Sequence, residues 1–89
     1  MIEIAFSSSF KRAFKKNVAG SASLEARFWE RLELFKKNPF DPKLRTHKLS
    51  GKLKDLWSFS IEYDLRVIFL FAGQDKTVFI DIGSHKEVY

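Results

Sequence analysis

Apolar side chains recur along this chain with two different periods. Ile2, Ile4 and Phe6 alternate with Glu3 and Ala5, the period of a strand that buries one face. Ser7-Ser8-Ser9 then supplies N-cap hydroxyls for a short helix ending near Lys16, with Phe10 and Phe14 one turn apart on its inner side. After a break at Gly20-Ser21, Leu24, Phe28, Leu32 and Phe35 form one stripe at helical spacing, flanked by Trp29 and Leu34. That spacing predicts a helix from about Ser23 to Lys37, with Lys36-Lys37 at the negative end of its dipole and Asn38-Pro39 as its stop. Pro39, Asp41 and Pro42 mark an irregular connection, and His47 to Leu53 reads as an exposed basic turn with two apolar anchors.

The period of two then returns. Trp57, Phe59 and Ile61 alternate with Ser58, Ser60 and Glu62, and Tyr63-Asp64 turns the chain. Leu65–Ala72 is almost continuously apolar, as expected of a central strand buried on both faces. Gly73 to Lys76 is a second hairpin loop, and Thr77–Gly83 the next strand, with Val78, Ile80 and Ile82 on one face. The order β-α-α-β-β-β predicts an α+β fold: two N-terminal helices packed on one face of a small, antiparallel-rich β-sheet. The other sheet face stays partly open, and alternation assigns Ser58, Ser60 and Glu62 to it.

Composition fits one domain spanning residues 1–89, near the lower size limit for an unstapled core. Ten Phe, two Trp and two Tyr compensate, since each aromatic buries roughly 150–250 Å². Cysteine is absent, which removes disulfides and thiolate metal sites. No apolar run approaches the roughly 20 residues of a membrane span, and Met1-Ile2-Glu3-Ile4 lacks the basic start of a signal peptide. The expectation is a cytoplasmic protein without membrane association. Charge is unevenly spread: residues 1–54 carry 13 Lys/Arg against five acids, residues 55–89 three against six. A basic helical half on a slightly acidic sheet half suits a polyanion or an acidic protein.

The chemistry-bearing residues gather near strand ends. RNA is cut without a metal when its own 2′-hydroxyl attacks the adjacent phosphorus, which takes a base, a cation on the phosphorane and an acid at the leaving 5′-oxygen. His47 and His85 are the side chains suited to proton transfer near neutral pH. Arg66 opens an otherwise apolar strand, and its planar fork fits a phosphate. Asp64, two residues earlier, projects to the same side of an extended chain, and Tyr89 lies four residues after His85. Each has a plainer reading: Arg66 with Asp64 as a strand-end ion pair, the histidines as surface, Asp81 as structural, Tyr89 as a packing anchor.

Taken together, Leu49-Ser50-Gly51-Lys52-Leu53, Leu56-Trp57-Ser58-Phe59, Asp64-Leu65-Arg66-Val67-Ile68-Phe69 and the run from Asp81 to Tyr89 resemble the RelE/ParE toxin superfamily, in particular its YafQ-like branch. The resemblance covers essentially the whole chain. It implies a RelE-like microbial RNase fold, cleavage of mRNA in the ribosomal A site without metal or other cofactor, and silencing by a cognate antitoxin. By position it implies His85 as the C-terminal catalytic histidine and general acid, and His47 or Asp64 as base. It implies Arg66 as the phosphate clamp and Tyr89 as an aromatic that orients the substrate. The lysines of RelE fall near Ser58 and Ser60 here, and the tryptophan that follows the aspartate in YafQ is replaced by Leu65. Lys11, Arg12, Lys15, Lys16, Lys48, Lys52 and Lys54 are the candidate RNA contacts, sequence-blind and salt-sensitive. A gyrase-inhibiting ParE-like toxin and a non-enzymatic module of the same fold are the competing readings.

Overall fold

A computed structural model describes residues 2–51 and 55–88. The chain runs β1 (Glu3–Phe6), α1 (Ser8–Asn17), α2 (Ala22–Lys37), a 3-10 turn (Pro42–Leu44), β2 (His47–Lys48), β3 (Trp57–Glu62), β4 (Leu65–Gly73), β5 (Lys76–Gly83) and α3 (His85–Val88). Serines start both long helices. Ser7 Oγ accepts the Phe10 N–H at 3.0 Å, and Ser21 Oγ accepts that of Leu24 at 3.3 Å. Asp41 begins the 3-10 turn in the same way, accepting from the Lys43 N–H at 2.9 Å, with Pro42 in the first position where no N–H is needed.

The five strands form one sheet in the order β1-β5-β4-β3-β2. Its hairpin ladders are antiparallel, and β4 is central as its apolar run predicts. β1 pairs with β5 in parallel, so the sheet is mixed. The two helices between β1 and β2 carry the chain across the sheet, which a parallel partner requires. His47-Lys48, expected as a turn, is a two-residue edge strand on β3.

A hydrophobic cluster joins the helices to the sheet. Phe35 stacks on Phe59 at 4.9 Å and meets Phe69 and Phe79 edge-on at 5.1 and 5.7 Å. Phe10 extends this cluster through Phe79 and Phe28 to α1. On β5 the expected apolar face of Val78, Ile80 and Ile82 is fully buried only at Ile82. Phe79 and Ile82 are fully buried while Val78 and Ile80 are half-buried. The cause is a bulge: Ile68 pairs with Asp81 and Phe69 with Phe79, leaving Ile80 as an extra residue that inverts the alternation. Its carbonyl accepts from Ser9 Oγ at 2.7 Å, so the N-terminus of α1 satisfies the backbone that the bulge frees. Asn17 Nδ2 holds the other end of α1 to the Ile82 carbonyl at 2.9 Å.

Candidate functional site

The β3–β4 turn, the end of β5 and the start of α3 converge on a cleft of about 480 Å³. Arg66, Asp64 and His85 line it together with Ser60, Ile61, Glu62, Tyr63, Arg31, Lys43 and Arg45. Arg66 sits on β4 between Ser60 of β3 and Gly83 of β5, so the position on its β5 side carries no side chain. Its Nη1 donates to Ser60 Oγ at 3.1 Å, while its Nε is buried without a hydrogen-bond partner. Ile61, one residue beyond Ser60, is an extra residue in β3, so a second bulge bends the strand beside Arg66.

Asp64 and Arg66 do not form the ion pair that their spacing allows. The Asp64 carboxylate instead accepts the backbone N–H of His85 at 3.2 Å. A residue in the β3–β4 turn thereby ties down the first turn of α3, 21 residues later in the chain. His85 itself is exposed, at the cleft wall.

His47 stands apart from the cleft lining. It faces Ser58 across the β2–β3 ladder, hence lies on the same sheet face as Ser58, Ser60 and Arg66. Two strand spacings sideways and two residues along put its Cα about 12 Å from that of Arg66. Its Nδ1 lies 3.0 Å from the Arg45 carbonyl oxygen. A carbonyl only accepts, so Nδ1 carries the hydrogen, and the neutral ring keeps its lone pair on Nε2. Ser58 corrects one expectation. It lies on the predicted face but is 0% exposed, and Ile68 beside it is also buried, so the face opens only from Ser60 and Arg66 onward. α3 packs on β4 and β5, and its first residue, His85, lines the cleft.

Lys11, Arg12, Lys15 and Lys16 are exposed on α1 and Lys48 on β2, none of them lining the cleft. Tyr89, Lys52 and Lys54 lie outside the described residues. Among the described residues, no three His, Cys, Asp or Glu side chains gather as a metal-binding group. No helix among them is long and apolar enough to cross a membrane.

Four lining residues escape sequence reasoning. Tyr63, 96% exposed at the hairpin tip, reads as an ordinary turn residue. Arg31, Lys43 and Arg45 enter the sequence pattern only as part of the basic residues 1–54. One local signal does exist in the structure: Arg45 has φ 52° and ψ 40°, the left-handed region, and is the only non-glycine with positive φ among the described residues. The cleft thus holds four cations against the carboxylates of Glu62 and Asp64.

A family model described as bacterial toxin of type II toxin–antitoxin system, YafQ, matches residues 2–89. No curated protein matches the chain. Among solved structures, a copper-bound mutant toxin from Helicobacter pylori is 30% identical over the whole of both chains, with a TM-score of 0.78. The E. coli DinJ–YafQ complex supplies a match at 16% identity and TM-score 0.70, covering all of this chain and 99% of the other. A YoeB/ParE toxin from Agrobacterium tumefaciens matches at 16% identity and TM-score 0.79, covering 94% of this chain and 99% of that one. The last two likenesses concern the fold alone.

Proposed function

The chain belongs to the YafQ family of bacterial type II toxin–antitoxin toxins, and on that premise we propose that it is a one-domain, metal-independent endoribonuclease acting on mRNA at the ribosome. The observation that carries this reading is the shared cationic cleft of Arg66 and His85, with Asp64 tying the backbone of His85 in place. Arg66 clamps the scissile phosphate: it lines the cleft, and Ser60 holds one end of the guanidinium. His47, with its lone pair on Nε2, takes the proton of the 2′-hydroxyl. The 2′-oxygen bonds to phosphorus, the P–O5′ bond breaks, and His85 gives its proton to the leaving oxygen. The products are a 2′,3′-cyclic phosphate and a 5′-hydroxyl end. His47 and Arg66 lie on one sheet face with their Cα atoms about 12 Å apart. Tyr89, next to α3 in sequence, orients a base or the backbone.

Exposed Lys11, Arg12, Lys15, Lys16 and Lys48, with Lys52 and Lys54, supply sequence-blind contacts to ribosomal RNA. The cognate antitoxin is a partly disordered protein that orders over the cleft, as the solved DinJ–YafQ complex offers a precedent for a partner.

Induction of the protein without its antitoxin is expected to arrest growth and produce new mRNA 5′-hydroxyl ends. His85→Ala should slow cleavage by roughly 10²–10⁴, and Arg66→Ala by roughly 10²–10³. Mapping mRNA 5′ ends after induction tests this. A His85→Ala/Arg66→Ala double variant that stays toxic with the same ends would falsify the assignment. Loss of supercoiling without RNA cleavage would move it to gyrase inhibition.

A further inference from the structure

We propose that Arg31, Lys43 and Arg45 form a second phosphate subsite, which holds the RNA phosphodiester neighbouring the scissile one. This rests on the endoribonuclease reading and deepens it. The three cations come from separate elements, α2, the 3-10 turn and its C-cap, yet line the same cleft as Arg66. None of them is in an ion pair among the described residues, unlike Arg27 with Glu30 and Lys36 with Glu33 on α2. Arg31 Nε is buried and unpartnered, the same condition as Arg66 Nε. Two guanidiniums lining one concavity, with Lys43 and Arg45 beside them, fit an anion with several acceptor oxygens, supplied twice.

The size of the cleft points the same way. At about 30 Å³ per water, its 480 Å³ holds on the order of 16 waters, several times what one phosphate displaces. Arg45 adds an independent sign. Its left-handed backbone is unfavourable for a residue with a Cβ, and a strained conformation held at a concave site marks function more than stability. The strain sits where the chain must turn from the 3-10 helix into β2, the same turn at which the Arg45 carbonyl fixes the His47 ring. Subsite and proposed base are therefore set by one residue, through its side chain and its carbonyl respectively.

The test is binding of short uncleavable RNAs, measured by fluorescence anisotropy. A 2′-fluoro dinucleotide with only its internal phosphate is compared with the same dinucleotide carrying an added 5′- or 3′-terminal phosphate. The wild-type protein should bind one of the two phosphorylated forms about tenfold more tightly. In an Arg31→Gln/Lys43→Gln/Arg45→Asn variant that gain should fall below about twofold, with the affinity for the plain dinucleotide little changed. The salt dependence of binding should weaken by roughly 0.7 in log–log slope for each phosphate that the variant no longer neutralises. Arg66→Gln should instead weaken all the dinucleotides and leave the gain intact. Because Arg31 is half-buried, Lys43→Gln alone serves as the second variant; on an exposed turn position, it should remove part of the gain with no change in the thermal midpoint.

No gain in the wild type, or an undiminished gain in the triple variant, overturns the subsite and leaves these cations to some other anion, such as an acidic peptide. The two proposals fail separately. A phosphate gain without any His85-dependent cleavage sinks the nuclease reading alone; cleavage without the gain sinks the subsite alone.

Discussion

Asp64 shows how a single hydrogen bond separates two chemical roles. Its carboxylate accepts from the His85 backbone, which is a positioning contact that needs an oxygen acceptor and no negative charge. Asp64→Asn keeps that acceptor and should retain most of the cleavage rate, while Asp64→Ala should lose roughly fivefold, the equivalent of a lost cap worth about 1 kcal/mol. If single-turnover RNA cleavage falls equally in both variants, Asp64 acts through its charge or as the base, and His47 does not. Arg45 gives the complementary case of a residue that costs stability. Replacing it by glycine should relieve the left-handed backbone and raise stability by about 0.5–1 kcal/mol, net of the entropy glycine adds to the unfolded chain. Thermal unfolding should show a midpoint a few degrees higher, while RNA affinity falls. A lower midpoint would mean that the Arg45 side chain is held by packing and not by function.

At the scale of elements, the site depends on strand ends and bulges. The bulge at Ile61 bends β3 beside Arg66, and the bulge at Ile80 inverts the parity of β5 before it delivers Gly83 and α3 to the cleft. α1 stabilises the second bulge, since Ser7 caps the helix and Ser7 and Ser9 donate to the Ile80 carbonyl at 3.3 and 2.7 Å. Ser7→Ala removes the cap oxygen, and the expected loss is about 1 kcal/mol in urea denaturation. A change below about 0.3 kcal/mol would mean that water or Ser9 replaces the cap. The elements themselves are legible in the sequence: the spacing predicts α2 from about Ser23 and it begins at Ala22, and the apolar run predicts a central β4, which is where β4 lies. The parity of β5 is not legible, because a bulge is set by pairing with β4 and leaves no local periodicity of its own.

For the whole molecule, six phenylalanines form the continuous cluster that keeps the helices on the sheet. Phe35 touches Phe59, Phe69 and Phe79 and is 0% exposed. Phe35→Ala should cost about 3–5 kcal/mol, against a total of roughly 4–13 kcal/mol for a chain of this length. Guanidinium denaturation checks this, with Trp29→Ala, at a half-exposed position, as the comparison expected to cost far less. A Phe35→Ala loss under about 1.5 kcal/mol would place the structural centre elsewhere. The cleft is also a whole-molecule property. Arg31, Lys43 and Arg45 come from the basic part of the chain, Asp64, Arg66 and His85 from the part with more acids than bases.

Short-range order and reactive composition are therefore written in the sequence itself: the two helical stripes, the alternation of β3, the serine caps, and the presence of Arg66, Asp64 and His85 at strand ends. Each follows from burial or capping within one element, which a few adjacent residues determine. Tertiary structure alone decided that β1 joins the sheet in parallel beside β5, that Ser58 is covered while Ser60 is not, and that Arg31, Lys43 and Arg45 face the same cleft as Arg66. Those outcomes depend on contacts between residues far apart in the chain, whose geometry no local pattern of polar and apolar positions specifies.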